Sequence, residues 1–173
     1  MRTLLFCLLM PAVVASAQDN PISSFNRVAY AQLKAWVLAS AEKAPEEIYS
    51  FKPVATVRSF RQIVGHVADA QYLFCSAALG EPAPDLEIEQ TKTSKADLVA
   101  ALKTSFAYCD KAYNAAADAT AGETVKLMGR NVPRAGALNA NLMHMSEHYG
   151  NLVTYLRIRG IVPPSSEPRP PQK

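Results

Sequence analysis

The sequence predicts an all-α protein with the architecture of a four-helix bundle. Four long stretches carry apolar residues at helical spacing, glycine and proline residues separate these stretches, and no stretch alternates convincingly as a strand. The chain has 173 residues, which is enough for one domain with a substantial core.

The first 17 residues have the pattern of an export signal. Arg2 precedes an apolar run over 4–14, and Ala15-Ser16-Ala17 fits the cleavage site of a signal peptide. The apolar run is too short to predict a membrane span. We therefore expect cleavage near Ala17 and export to the periplasm or the extracellular space. The mature bundle is then expected over 18–164, followed by a disordered, proline-rich tail over 165–173.

The first two helices have clear boundaries. One is predicted over 25–43, before Pro45. Ser59 and Gln62 form a capping box that opens the second, and Gly80 ends it at about Leu79. The predicted inward stripe of the first helix consists of Phe25, Val28, Ala29, Gln32, Leu33, Trp36, Val37 and Ser40.

The last two helices are predicted in the same way. Ser94 caps a third helix that extends to about Ala116, and a fourth extends from about Arg134 to Arg159, before Gly160. The segments 45–57, 80–93 and 117–133 are predicted as loops, with a brief extended stretch conceivable over 124–128.

The connection over 80–93 leaves the order of the helices open. Its 14 residues can span about 45 Å, more than the roughly 30 Å of a 20-residue helix, so the second and third helices can run parallel. Cys75 and Cys109 would then lie level with each other. They form either a disulfide or two buried thiols, and a disulfide would favour the parallel arrangement.

Composition and motifs exclude several classes of function. The formal net charge is only +3, falls by one when Arg2 leaves with the leader, and comes from scattered residues, so nucleic-acid binding is not expected. His144-x-x-Glu147-His148 matches the inverted zinc-protease signature, but only 25 residues follow His148, too few for the remaining carboxylate ligand of that class.

All three histidines of the chain fall on predicted helices. His144 and His148 lie one turn apart on one face of the fourth helix, and His66 lies on the second. If they meet, three imidazoles can hold a metal and leave a position open for water. Asp69, one turn beyond His66, could orient that ring or accept a proton, and Glu147 could act in the same way. The alternative is that the histidines are hydrogen-bonded core residues without a metal.

A polar line along the fourth helix favours a pocket. It carries neither lysine nor glutamate, as a solvated face normally would, and it consists of Asn141, His144, His148, Asn151 and Tyr155.

Two sets of motifs resemble the DinB-like family, over about 25–165. The first set is Tyr49-x-Phe51-x-Pro53, Arg58-Ser59-Phe60 and Gly65-His66-Val67-Ala68-Asp69-Ala70. The second set is His144-x-x-x-His148-Tyr149-Gly150-Asn151-Leu152-Val153-x-Tyr155-Leu156-Arg157 and Gly160-Ile161-Val162-Pro163-Pro164.

The resemblance implies an up-down-down-up four-helix bundle that is often a homodimer. It also implies a divalent metal held by His66, His144 and His148, with zinc or nickel expected first and iron or manganese next. Some relatives are S-transferases that use low-molecular-weight thiols, and others are described as metal-dependent hydrolases. The export signal departs from the usual family pattern and makes a cytosolic thiol cosubstrate less plausible.

We therefore expect a hydrolase-like metalloenzyme acting on a small molecule, without nucleic acid and without stable membrane association. Asp69 or Glu147 is the predicted proton acceptor. The alternatives are a non-catalytic exported bundle with a metal-binding or stress-related role, and a thiol S-transferase.

Overall fold

The computed structural model describes residues 20–168 and contains five helices and one two-stranded sheet within them. The predicted leader lies outside the described residues. The helices are α1 (Pro21–Lys43), α2 (Phe60–Leu79), α3 (Ile88–Thr91), α4 (Lys95–Ala115) and α5 (Arg134–Ile158), and the strands are β1 (Thr124–Leu127) and β2 (Arg130–Pro133). The four long helices are the predicted ones, and none of the described helices is long and apolar enough to cross a membrane.

The four long helices form the predicted up-down-down-up bundle. Helix α5 runs antiparallel to α2, because Arg134 at its start hydrogen-bonds Ala78 and Tyr155 near its end hydrogen-bonds Arg58. Helix α1 runs parallel to α5 and antiparallel to α4. Helices α2 and α4 therefore run parallel, and the connection between them has to return along the bundle.

A disulfide joins the two parallel helices. Cys75 of α2 and Cys109 of α4 are fully buried, and their Cα atoms are 5.2 Å apart. This separation lies within the range that a disulfide spans. Of the two possibilities left open by the sequence, the structure adopts the bridge, and with it the arrangement in which these residues lie level.

The helix ends follow from local chemistry. The capping box at Ser59 is present, because the backbone N–H of Gln62 donates to the Ser59 hydroxyl and the backbone N–H of Ser59 donates to the Gln62 side chain. Ser94 accepts the backbone N–H of Asp97 in the same way at α4. Gly80 and Gly160 follow α2 and α5 with positive φ, the backbone conformation that ends helices and favours glycine.

The buried face of α1 differs from the predicted stripe. Phe25 and Val28 are 73% and 70% exposed, whereas Tyr30 is buried. The Tyr30 ring stacks on Tyr113 with centroids 3.9 Å apart, and its hydroxyl donates to the carbonyl of Phe106. An aromatic residue with a satisfied hydroxyl thus takes the inward position in the first half of α1, and Phe25 and Val28 face outward.

Three of the predicted loop regions contain short elements. Residues Glu46–Ile48 and Asp118–Thr120 form 3-10 turns, and α3 lies within the connection after α2. A third 3-10 turn, Pro164–Ser166, lies where the predicted bundle meets the predicted tail. Strands β1 and β2 form an antiparallel hairpin through Met128 and Gly129, which both have positive φ. The first described residues of the predicted tail are also held in place, since the backbone N–H of Ser165 donates to the Tyr149 hydroxyl.

Candidate metal centre

The three histidines meet between α2 and α5. The Nε2 atom of His144 lies 3.0 Å from Nε2 of His66 and 3.1 Å from Nε2 of His148. The antiparallel packing of the two helices brings His66 level with the pair, and the four-residue spacing places the pair on one face of α5. Among the described residues, these three form the group that could hold a metal ion.

The electrostatic environment keeps these imidazoles neutral. Burial lowers the pKa of His144 to about 3 and that of His148 to about 4, and it also lowers the pKa of His66. The other histidines and the guanidinium of Arg58 contribute to the lowered pKa of His144. Metal binding requires the neutral ring, whose free nitrogen lone pair forms the bond, so the site is in its binding form at neutral pH.

A carboxylate that the sequence analysis missed orients His66. The Nδ1 atom of His66 lies 3.1 Å from Oε2 of Glu89, and Nε of Arg58 donates to Oε1 of the same carboxylate at 2.9 Å. The Arg58 carbonyl in turn accepts the Tyr155 hydroxyl at 2.7 Å. Glu89 therefore holds the Nδ1–H tautomer of His66 and leaves its Nε2 lone pair directed at the other histidines.

The position of Glu89 depends on a close approach between α2 and α3. A Cβ atom at Gly65 would lie 2.7 Å from Cα of Glu89, so glycine is required for this distance. Asp69 fixes the same segment, because its two carboxylate oxygens accept the backbone N–H groups of Ile88 and Glu89 at 2.8 and 2.9 Å. Glu87, just before these groups, has a φ of +46°, a strained conformation that these bonds hold.

The other two histidines differ in the surroundings of their Nδ1 atoms. Nδ1 of His148 lies 3.3 Å from the side-chain nitrogen of Asn151, and rotating the amide by 180° would present its oxygen as an acceptor instead. Nδ1 of His144 is buried and has no hydrogen-bond partner among the described residues. Its ring packs against Phe74, with centroids 5.4 Å apart.

The donor set fits a divalent metal. Tetrahedral coordination with bonds of 2.0–2.1 Å separates the nitrogens by about 3.4 Å, a few tenths of an ångström more than two of the observed separations. Nε2 of His144 faces two other ring nitrogens, and one hydrogen can satisfy only one of these contacts. A cation at the centre would be a partner for all three lone pairs. Imidazole nitrogens suit zinc, nickel, iron or copper better than magnesium or calcium.

The two predicted proton acceptors occupy different environments. Asp69 lines a cleft that also includes His66 and His144. It does not orient His66 as the sequence analysis allowed, because Glu89 makes that contact and Asp69 binds backbone N–H groups instead. Glu147 is exposed, and its charge raises the pKa of His148 against the larger, opposite effect of burial. Proton transfer by either residue stays a prediction.

Solved structures with the same fold include DinB-like proteins. One from Bacillus cereus ATCC 10987 has 13% identity and a TM-score of 0.71, with 82% of this chain and 95% of that chain covered. One from Bacillus subtilis has 23% identity and a TM-score of 0.67, with 84% and 99% covered. A mycothiol-dependent maleylpyruvate isomerase has 16% identity and a TM-score of 0.60, with 75% of this chain and 60% of that chain covered.

The sequence itself matches a protein-family model. No curated protein matches this sequence. The model of the DinB superfamily matches residues 29–152, a span that includes all three histidines, Glu89 and the two cysteines of the disulfide. The chain therefore belongs to the DinB superfamily.

Proposed function

We propose that the protein is a divalent-metal-dependent enzyme with hydrolase-like chemistry, in which His66, His144 and His148 hold the metal. The observation that carries this proposal is the convergence of the three Nε2 atoms beside an open cleft. Zinc or nickel is proposed first, and iron or manganese next. A three-nitrogen metal with an open position lowers the pKa of bound water to about 7 and can thereby supply a nucleophile near neutral pH.

The surrounding residues have separate roles in this proposal. Glu89, held by Arg58, keeps His66 in the tautomer that directs Nε2 at the metal position. Of the two predicted proton acceptors, Asp69 is the one that lines the cleft, and each of its oxygens retains a lone pair beside its backbone hydrogen bond. We therefore keep Asp69 for proton transfer and assign Glu147 no contact with the substrate.

Elemental analysis of the purified chain tests the metal. We expect about one zinc or nickel ion per chain in the wild type and none in His144→Ala under the same conditions, because two imidazoles hold a divalent ion far more weakly than three. Met143→Ala is the matched control, since the adjacent Met143 is 73% exposed and lies outside the site. Equal metal content in wild type and His144→Ala would mean that any ion binds elsewhere and would contradict the proposal.

A thiol S-transferase is the second candidate function. Its support is the structural neighbour described as a mycothiol-dependent isomerase, at 16% identity. In that case a low-molecular-weight thiol would react at the open position in place of water. Two screens distinguish the candidates: esters, amides and lactones without thiol, and alkyl halides and epoxides with a low-molecular-weight thiol, whose sulfur displaces the halide or opens the ring. A hydrolase turns over in the first screen, and a transferase turns over only in the second. Metal binding without turnover in either screen favours the non-catalytic alternative.

Export of the protein is a further part of the proposal. The disulfide between Cys75 and Cys109 fits an oxidising compartment, where such bonds persist. Fractionation of producing cells and N-terminal sequencing of the recovered protein test it. A mature N-terminus near residue 18 in the periplasm or medium is expected, and a full-length chain retained in the cytoplasm would contradict it.

A further inference from the structure

A cleft of about 630 Å³ opens beside the histidine cluster. One wall is α2, the opposite wall is the connection between α2 and α4, and the tip of the β1–β2 hairpin contributes Met128 at the mouth. His66 and His144 belong to its lining, so a molecule in the cleft would touch the proposed metal position. Clefts of this size suit small-molecule ligands.

The floor and mouth of the cleft are apolar. Leu73 and Phe74 project from α2, and Phe74 packs on the His144 ring. Leu86 and Met128 are 47% and 74% exposed, although both are large apolar residues. Single exposed apolar residues are common, but these two border the same cleft as Phe74. Burying a hydrocarbon group of a ligand against them would be favourable.

The charges of the cleft all have one sign. Apart from the histidines, its ionisable lining residues are Asp69, Asp85, Glu87 and Glu89. Asp69 is bonded to backbone N–H groups and Glu89 to Arg58 and His66, so these two carboxylates are compensated. Asp85 and Glu87 are exposed, and their carboxylates have no ion pair within residues 20–168. Among the described residues, no lysine or arginine lines the cleft.

The acidic wall of the cleft, defined as the part of the α2–α4 connection that carries Asp85 and Glu87, is held in a defined position. The bonds from Asp69 to the backbone of Ile88 and Glu89 anchor its end, and Glu87 is fixed in its positive-φ conformation immediately before them. Gly65 permits the close approach of this segment to α2. The carboxylate of Glu87 is therefore presented from an ordered backbone, which favours a defined polar contact over diffuse attraction.

We propose that this cleft binds the substrate, and that the substrate is an apolar molecule with a cationic end, an alkyl or aryl amine. The hydrocarbon portion lies against Phe74, Leu86 and Met128, and the ammonium group lies near Asp85 and Glu87. Carboxylates and phosphates are excluded from this wall because it repels them. The inference rests on the proposed function for the reaction, but the binding itself can be tested without a metal.

The test uses three probes with the same hydrocarbon and different charge: 4-phenylbutylamine, 4-phenylbutan-1-ol and 4-phenylbutyrate. The full-length chain carries methionines labelled with ¹³C at the methyl group. Met128 reports on the cleft, while exposed Met143 and buried Met145 report on the surface and the core. Titrations are followed by NMR in the metal-free chain, where a carboxylate cannot bind through a metal.

We expect the Met128 signal to respond to the amine at the lowest probe concentration, to the alcohol at a higher one and to the carboxylate at the highest. The signals of Met143 and Met145 should not change. Asp85→Asn/Glu87→Gln should weaken amine binding about threefold to tenfold, as expected for two exposed ion pairs, and leave the alcohol unchanged. Glu47→Gln, which removes an exposed carboxylate outside the cleft, is the control. When zinc is bound, Asp85→Asn/Glu87→Gln should weaken amine binding by the same factor.

Three outcomes would overturn the inference. They are equal or tighter binding of the carboxylate in the metal-free chain, a response of Met143 or Met145 in place of Met128, and an unchanged amine affinity in the double variant. Failure of the proposed function gives a different result. A chain that binds no zinc but ranks the probes as expected would refute the metalloenzyme proposal and keep the cleft assignment.

Discussion

Helices α2 and α5 enclose two polar clusters of different character. One is the histidine cluster of His66, His144 and His148. The other is the amide cluster, defined as Gln71, Asn141 and the Cys75–Cys109 disulfide. In the amide cluster the Asn141 side-chain nitrogen lies 3.1 Å from Oε1 of Gln71 and contacts both sulfur atoms. All four residues are fully buried. The histidine cluster borders a cleft instead.

The difference shows which buried polar groups indicate a binding site. Both clusters take residues from α2 and α5, with Cys109 of α4 completing the amide cluster. Both also contain a buried atom without a hydrogen-bond partner among the described residues, Oδ1 of Asn141 and Nδ1 of His144. In the amide cluster donors meet acceptors, so the group is largely satisfied from within. In the histidine cluster three lone pairs point at one place that a ligand can reach. Convergence of acceptors, together with access, is the distinguishing feature, and burial is not.

The largest expected effect is the loss of stability when the disulfide of the amide cluster is removed. Cys75→Ala/Cys109→Ala should lower the free energy of unfolding of the metal-free chain by about 3–4 kcal/mol, because the bond closes a sequence separation of 34 residues. Urea denaturation followed by circular dichroism measures this change. The zinc affinity, measured by chelator competition, should stay at the wild-type value. A zinc affinity that falls together with stability would show that the two clusters are not independent.

The second prediction concerns the histidine cluster alone. Glu89→Gln should weaken zinc binding about 10- to 100-fold, or about 1.4–2.7 kcal/mol, because the charge that holds the His66 tautomer is lost. Chelator competition measures the affinity, and the stability of the metal-free chain should change little. Glu147→Gln is the matched control, since that carboxylate is exposed. Equal zinc affinities in the two variants would remove Glu89 from this role.

The smallest expected effect lies in the amide cluster. Asn141→Ala should lower the free energy of unfolding by only about 1 kcal/mol, since the lost hydrogen bond to Gln71 is partly offset by removing a buried carbonyl that has no partner. Urea denaturation again provides the value. Exposed Asn139→Ala serves as the control and should stay within about 0.5 kcal/mol of wild type. Loss of zinc binding in Asn141→Ala would contradict the separation of the two clusters.

The bundle and the three histidines could be predicted because their signals are local. Ser59, Ser94, Gly80 and Gly160 determine helix ends through their own backbone and side-chain bonds, and the spacing of His144 and His148 places them together on any helix. The polar line on the fourth helix was also informative. Asn141 and His144 contact Gln71 and His66 of α2, and the Tyr155 hydroxyl donates to the carbonyl of Arg58 just before that helix, whereas Asn151 is exposed.

Glu89 could not be found in the same way, because it acts across a tertiary contact. It lies on a four-residue helix inside a segment predicted as a loop, 23 positions from His66, and no periodic pattern marks it. Gly65 was the available signal, since a glycine inside a helix often marks a close approach of another backbone. The hairpin was not predicted with assurance either, because Met128-Gly129 lacks the Asn-Gly or Asp-Gly signature of a two-residue turn.

The parallel course of α2 and α4 also affects how such a protein can diversify. A chain that reverses at Gly80 needs only a short turn, whereas this one must travel back along α2 before α4 begins, and this return segment forms one wall of the cleft. The helices carry the three histidines and the return segment forms a wall of the cleft, so the two can vary separately. Changes in length or sequence over 81–87 can alter ligand preference while the helix packing stays intact, in the manner of binding loops carried on a rigid scaffold.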